Sequence, residues 1–352
     1  MKYTEQVEEL LKNIEVSESD YEKAVSRYES VSKYIVDNYI EYSPEIYLQG
    51  SFKLGTSIKP LTEDGAYDID IVCLFGKYNK QMISQAHLKE IMGKIVKGYA
   101  DSYGIKEKPH DGKKCWTIQY VDNHNFHLDI LPAISNWNSG NVIAYTNKKN
   151  RDYNMISDGW SISNPKDYYK WFMDIARFSE YKARFAFNEN VDIEKVPDYK
   201  IKTPLQRVVQ IFKRHAEVTF ENNMEYKPSS VVITTLVTKA YELIGYQIKD
   251  FEELLSVLSE NMIYFLDEKC GRKCVLNPVD KEENLSEKWM INIAYYNQFK
   301  QWHMKLKEDF NFKRYYTRVY AYSVINECMN INNQKKYEDD GLALLSHHQR
   351  PK

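Results

Sequence analysis

Positive charge is not in excess in this 352-residue chain, where 48 Lys and Arg stand against 50 Asp and Glu for a formal charge of −2. A protein that grips long nucleic acid carries a basic excess or a clustered basic stripe, so no long nucleic acid partner is expected. Cysteines are few and odd in number, at Cys73, Cys115, Cys270, Cys274 and Cys328. That speaks against a disulfide framework and for a reducing compartment. Cys270 and Cys274 have no second Cys or His pair beside them, so no zinc site is expected there. No stretch is long and apolar enough to span a bilayer, and the N-terminus lacks the apolar core of a signal peptide. A cytoplasmic location with no membrane contact is therefore expected. The chain also lacks an internal repeat and a low-complexity linker.

What is present organises into two halves. With 43% hydrophobic residues the chain can bury a sizeable core and is expected to form two lobes. Val7, Leu10, Leu11 and Ile14 recur at helical spacing, and Ser19 with Glu22 reads as a capping box for a longer segment carrying Ala24, Val25, Tyr28, Val31 and Ile35. Together they predict one broken helical spine. Strands are expected at Ile46–Gln49 and Tyr67–Phe75, then as a hairpin of Cys115–Val121 and Phe126–Leu131. A helix over about Ser84–Tyr99 would cover the sheet. Beyond residue 165 the pattern is almost wholly helical, with Pro204, Pro228 and Gly245 at helix edges. The expected fold class is α+β: a catalytic lobe over 1–165 that includes the spine, a helical lobe over 166–330, a tail over 331–352, and the active site in the cleft. His347 and His348 read as tail residues.

The chemistry concentrates in the strand region. Tyr67–Phe75 is rich in β-branched and aromatic residues, so alternate side chains share a face and Asp68 and Asp70 point the same way, about 6.6 Å apart along the strand. Carboxylates so spaced suit a pair of Mg²⁺ ions held about 3.5–4 Å apart, as a two-metal displacement requires. Asp129, in the run Phe126–Pro132, would complete the cage. An Asp-x-Asp on an exposed sheet face is by itself only solvated alternation. The preceding segment changes the reading, because the strand Ile46–Gln49 ends at Gly50, where a missing Cβ lets backbone approach a ligand, and Ser51 adds an N–H and a hydroxyl. Such a turn binds phosphate through backbone dipoles. Phe52–Pro60 then adds Gly55-Thr56 and two cations, Lys53 and Lys59. Farther on, Leu205, Val208, Val209, Phe212 and Ala216 form one apolar stripe with Lys213 on its shoulder and Arg207 and Arg214 opposite. A shoulder lysine either snorkels at the surface or puts its ammonium into a cleft. Ser230, ahead of Val231–Leu236, reads locally as a helix N-cap.

The runs Gln49–Pro60, Tyr67–Val72 and His127–Pro132 resemble the CD-NTase family of bacterial anti-phage signalling enzymes, relatives of animal cyclic GMP-AMP synthase and oligoadenylate synthase. The likeness continues through Ser163–Pro165, Trp171-Phe172, Leu205–Arg207, Lys213–His215, Lys227–Ser230, Thr234–Leu236, Asn277-Pro278 and Glu283-Asn284 to Trp289. It implies a polymerase-β-like nucleotidyltransferase lobe with a mixed sheet. It also implies that Asp68, Asp70 and Asp129 are the catalytic and metal-binding residues, for Mg²⁺ with Mn²⁺ as the alternative. Gln49, Gly50 and Ser51 are implied to bind the nucleotide, joined by Lys213 and Ser230 on the donor phosphates. Val231 follows that serine where the animal enzyme has an aromatic residue that stacks on the base, and the animal enzyme's zinc-ribbon insertion is absent.

The resemblance further implies NTP substrates, ATP among them, a cyclic di- or trinucleotide product sensed by a separate effector, and room for a regulatory protein partner. A linear, template-independent polymerase would use the same residues. A transferase that nucleotidylates RNA or protein would need a basic acceptor surface, which the balanced charge does not favour. A nucleotide-binding module with a dead site would be expected to lack a carboxylate, and all three are present.

Overall fold

The computed structural model describes residues 5–62, 65–121, 125–136, 140–177, 197 and 202–311. The tail with its paired histidines and Cys328 lies outside the described residues. By internal contacts the chain divides into two units, one made of residues 16–206 and 276–285, the other of 1–15, 207–275 and 286–352. This partition does not follow the linear division at residue 165.

The first unit is built on a seven-stranded mixed sheet. Helices α1 (Glu5–Ile14) and α2 (Glu18–Asn38) precede β1 (Pro44–Gln49), α3 (Gly50–Leu54), β2 (Ala66–Phe75), α4 (Gln85–Ser102), β3 (His110–Asp111), β4 (Trp116–Tyr120), β5 (Asn125–Ser135), β6 (Ile143–Tyr145), β7 (Ser161–Ser163) and α5 (Pro165–Arg177). The main strand order is β1-β2-β5-β4-β3, with β6 pairing β5 and β7. Only β2 and β5 run parallel; the other pairs are antiparallel. Period-two alternation in β2 sends Tyr67, Ile69, Ile71, Cys73 and Phe75 to the core, where they join Phe126, Leu128 and Ile130 of β5. Helices α2 and α4 close that face with Ala24, Tyr28, Val31 and Ile35 and with Leu88, Met92, Ile95 and Val96. Helix α4 lies flush on β4, since a Cβ at Gly93 would stand 2.4 Å from the Trp116 ring. The opposite face is polar where β2 begins and apolar beyond, with Tyr47, Val72, Leu131, Ala133, Ile143 and Tyr145.

One expectation for the N-terminal helices needs correction. The cap of α2 is Ser17, not Ser19: its Oγ accepts from the Asp20 N–H at 3.1 Å and donates to Asp20 Oδ2 at 2.8 Å. The Tyr67 hydroxyl, from the sheet, donates to the same Asp20 oxygen at 3.0 Å, and this tertiary bond selects the earlier serine. Helix α1 falls in the second unit and α2 in the first. Helix α5 packs on α3 and β1 and so extends the first unit past residue 165.

The second unit contains most of α6 (Pro204–Thr219), with α7 (Ser230–Ile244), α8 (Phe251–Asn261), the hairpin β8 (Asp267–Lys269) and β9 (Arg272–Cys274), α9 (Glu287–Ile291) and α10 (Ile293–Asp309). Pro204 opens α6 and Gly245 ends α7, as expected. The region is not wholly helical, since β8 pairs with β9 and β10 (Leu276–Asn277) with β11 (Asp280–Asn284). The β10–β11 hairpin belongs to the first unit, held by Glu283, which accepts from Ser163 Oγ at 2.8 Å, the Asn164 N–H at 3.3 Å and Asn277 Nδ2 at 2.6 Å. Burial raises the pKa of that carboxyl, and the three donors oppose the rise. Among the described residues no helix is long and apolar enough to cross a membrane.

Candidate active site

The expected carboxylates lie at neighbouring positions on the face of the sheet opposite the main core. Register across four strands sets Gln49 beside Asp70, Asp70 beside Asp129, and Asp129 beside Thr117, in a single row. One pleat toward the N-terminus of β2, Asp68 pairs with His127 and His127 with Gln119. Asp68 is exposed, and Asp70 and Asp129 are half-buried. His127 Nδ1 lies 3.4 Å from Asp68 Oδ1. The Thr117 hydroxyl donates to Asp129 Oδ1 at 2.5 Å. Asp70 is set by the turn after β1: a Cβ at Gly50 would stand 2.1 Å from Asp70 Oδ2, and Gly50 has φ +67°. Only glycine fits there, for reasons of space and of backbone conformation.

Gly50 opens α3 directly from the strand, and Gln49 at the cap position makes no side-chain capping bond. The first amides of α3 therefore carry no side-chain cap, which suits a phosphate. Ser51 Oγ lies 3.0 Å from Ser57 Oγ, and the Ser51 carbonyl accepts from the Thr56 N–H at 2.9 Å, so the return loop is tied to the turn. Lys59 is exposed. Lys53 departs from expectation: it is buried, with Nζ 4.5 Å over the Tyr169 ring of α5.

Three carboxylates from two adjacent strands form an all-oxygen donor set, the type that hard divalent ions such as Mg²⁺ take. The space a Gly50 Cβ would need is taken by the Asp70 carboxylate, which brings that carboxylate against the turn. In this conformation no three His, Cys, Asp or Glu among the described residues stand close enough together to grip an ion. The half-buried thiol of Cys115 lies near the row, and burial with the charges of Asp129 and Asp70 pushes its pKa up to about 12.

Lys213 and Ser230 belong to the second unit. Lys213 is buried in α6, and so is Arg214, which pairs with Glu217 at 3.3 Å, so the polar face expected on that side is not a solvated one. Arg207 pairs with Glu15 at 3.4 Å. Ser230 is the first residue of α7, and the capping position is Ser229. His127, Thr117 and Gln119 were not picked out from sequence. Alternation along the hairpin was the available signal for the last two, since every second residue of β4 faces the same side as Asp129. A cavity of about 380 Å³ lies elsewhere in the first unit, between α2, the end of α4 and the end of β4, and none of the three aspartates lines it.

Residues 1–175 match the family described as Second Messenger Oligonucleotide or Dinucleotide Synthetase domain. A c-di-GMP synthase of Roseivirga ehrenbergii is 29% identical over 290 residues, covering 81% of this chain and 72% of that protein. The CD-NTase CdnG of Bradyrhizobium diazoefficiens, solved in complex with GTP, is similar over 92% of this chain and 97% of its own, with a TM-score of 0.67 and 20% identity. Escherichia coli CdnC, in its complex with HORMA-deltaN, is similar over 93% and 96%, with a TM-score of 0.64 and 9% identity.

Proposed function

Since the chain belongs to the second messenger oligonucleotide or dinucleotide synthetase family, the bacterial CD-NTases, we propose that it joins two or three NTPs into a cyclic nucleotide signal. The single observation that carries the proposal is the row Gln49, Asp70, Asp129 and Thr117 with Asp68 one pleat away, set against a glycine turn that admits no side chain. Asp68, Asp70 and Asp129 would hold divalent ions, Mg²⁺ or Mn²⁺. When bound, such ions neutralise triphosphate charge and acidify a coordinated hydroxyl.

The chain's own residues supply the rest. Gln49, Gly50 and Ser51 receive the donor triphosphate through backbone amides and the Ser51 hydroxyl. Asp129, with Oδ1 held by Thr117, takes the acceptor hydroxyl's proton on Oδ2. The acceptor oxygen bonds to the α-phosphorus as the bond from that phosphorus to the bridging oxygen breaks, and pyrophosphate leaves with the electron pair. Repetition on the linear intermediate closes the ring. Lys213 and Ser230 are assigned to the donor phosphates, a role that rests on the resemblance of Lys213–His215 and Lys227–Ser230 to the family.

The same reading puts the protein in the bacterial cytoplasm in anti-phage signalling, with a separate effector for the product. A regulatory protein partner fits it too, as the CdnC relative is in complex with HORMA-deltaN.

The test is to incubate purified protein with each pair of labelled NTPs and Mg²⁺ or Mn²⁺, and identify products by mass after phosphatase treatment. Cyclic products survive phosphatase; linear ones lose their terminal phosphates. Absence of any phosphatase-resistant product from every NTP pair refutes the cyclase reading. Duplex DNA at physiological salt should leave the rate unchanged.

A further inference from the structure

Each of the three aspartates has a neighbour of its own outside the carboxylate set. Asp70 is pressed against the bare Gly50 Cα. Asp68 lies beside His127. Asp129 is gripped from a third strand, by Thr117 of β4, whose hydroxyl neither makes nor breaks a bond in the proposed chemistry. A threonine on the site face of β4 needs a reason, because a valine there would form the strand equally well.

Thr117 is itself held firmly. Its neighbours Trp116 and Ile118 point into the core and are 6% and 0% exposed. Trp116 Nε1 donates to the Lys89 carbonyl at 2.8 Å, and the ring fills the space under Gly93. With the backbone pinned on both sides and a β-branched side chain stiff at χ1, the hydroxyl has little freedom. Asp129 lacks that restraint of its own, since the terminal torsion of an aspartate is broad and roughly two-fold. A hydroxyl donating to an ionised carboxylate makes one of the stronger hydrogen bonds, and Thr117 donates to Asp129 Oδ1. The hydroxyl's one proton is committed to Oδ1 and not to Oδ2.

We infer that Thr117 is the positioning residue for Asp129. Its hydroxyl fixes the carboxylate plane so that one oxygen is presented to the ion and to the acceptor hydroxyl, and Thr117 touches neither. The chain of restraint runs from Gly93 and Lys89 through Trp116 to Thr117 and on to the carboxylate. In its catalytic consequence this rests on the nucleotidyltransferase reading; in its structural consequence it does not.

Thr117→Val removes the hydroxyl and keeps shape and strand propensity, and Thr117→Ser keeps the hydroxyl. Full-length protein of each kind is titrated calorimetrically with Mn²⁺ alone, assayed for product, and melted. Losing a hydrogen bond to a metal-binding carboxylate costs about 10- to 100-fold in metal affinity or activity. Thr117→Val is therefore expected to bind Mn²⁺ at least about 10-fold more weakly and to lose about 10- to 100-fold in kcat, with KM for NTP within roughly two-fold and Tm within about 2 °C of wild type. Thr117→Ser should restore most of both losses.

The inference is overturned if Thr117→Val binds Mn²⁺ like wild type, or if Thr117→Ser is as impaired as Thr117→Val, which would make the methyl group the working part. It also falls if the wild-type protein binds no Mn²⁺. If the wild type makes no product while the Mn²⁺ series behaves as expected, the proposed reaction fails and the positioning role stands.

Discussion

Gly50→Ala offers a direct probe of the site, because one added carbon meets two separate penalties. The first is conformational: at φ +67° an alanine incurs about 1–2 kcal/mol of left-handed strain. The second is steric. The new Cβ would stand 2.1 Å from Asp70 Oδ2, 2.9 Å from its Cγ and 3.2 Å from its Cβ, so the carboxylate must retreat toward the 3.4 Å at which ordinary contact begins. Gly104 makes the control, with φ +63° in the same unit and nothing within 4 Å of its virtual Cβ. Both substitutions should lower Tm by roughly 2–8 °C through backbone strain alone. Only Gly50→Ala should also stop catalysis, because a displacement of about 1 Å at a reacting group costs on the order of 100-fold. Initial rates with labelled NTPs and thermal melts on the two variants decide the matter. A Gly50→Ala enzyme working at the wild-type rate, or a Gly104→Ala enzyme equally crippled, would refute the argument that Asp70 is set by this turn.

Other outcomes follow from the same geometry. Asp68→Asn with Asp70→Asn should abolish product formation and leave the melting temperature close to wild type, because both side chains sit on the polar face outside the main core; undiminished synthesis would remove them from the mechanism. Lys213→Met keeps the buried stem and drops the charge, and it should weaken nucleotide binding about 10- to 100-fold, as should Ser230→Ala, with little change in the nucleotide-free melt. Equilibrium titration with ATP and GTP reads this, and unaltered affinity in either variant makes that residue structural. The raised Cys115 pKa has a definite sign: between its ordinary value near 9.0 and about 12 the folded state keeps a proton that the unfolded state has lost. The group's contribution to stability is thus intact below pH 9 and declines as pH rises toward 12. Cys115→Ala should flatten that part of the stability curve, and an unchanged alkaline limb would show that the thiol is not shielded.

The placing of Asp70 beside Asp129 was legible because its signal is local. Alternation in Tyr67–Phe75 and Phe126–Leu131 fixes which side chains share a face, and two parallel neighbours then bring Asp70 to Asp129. What escaped the sequence depends on distant partners. Ser17 with Asp20 and Ser19 with Glu22 satisfy the same cap spacing, and the Tyr67 hydroxyl, 47 residues away from Asp20, decides between them. Lys53 reads as a free cation beside a phosphate turn, but Tyr169 lies beyond any local pattern. Helix α6 looks amphipathic on a wheel, yet its polar side is used internally, with Gln206 Nε2 donating to the Leu54 carbonyl at 2.8 Å. The strands β8 to β11 are short and charged, with Asp267–Lys269 and Asp280–Asn284 carrying none of the β-branched enrichment that marks a strand.

The knot at Glu283 sets an order of events during synthesis. Ser163 and Asn164 emerge from the ribosome more than a hundred residues before the carboxylate that accepts their hydrogen bonds. Domains ordinarily fold as units from the N-terminal end as they appear. Here the sheet-bearing unit stays incomplete until the β10–β11 hairpin has been made, by which time α6, α7 and α8 have already been synthesised. A half-made chain therefore lacks the finished sheet-bearing unit that carries the three aspartates, whatever helices of the other unit it has already gained.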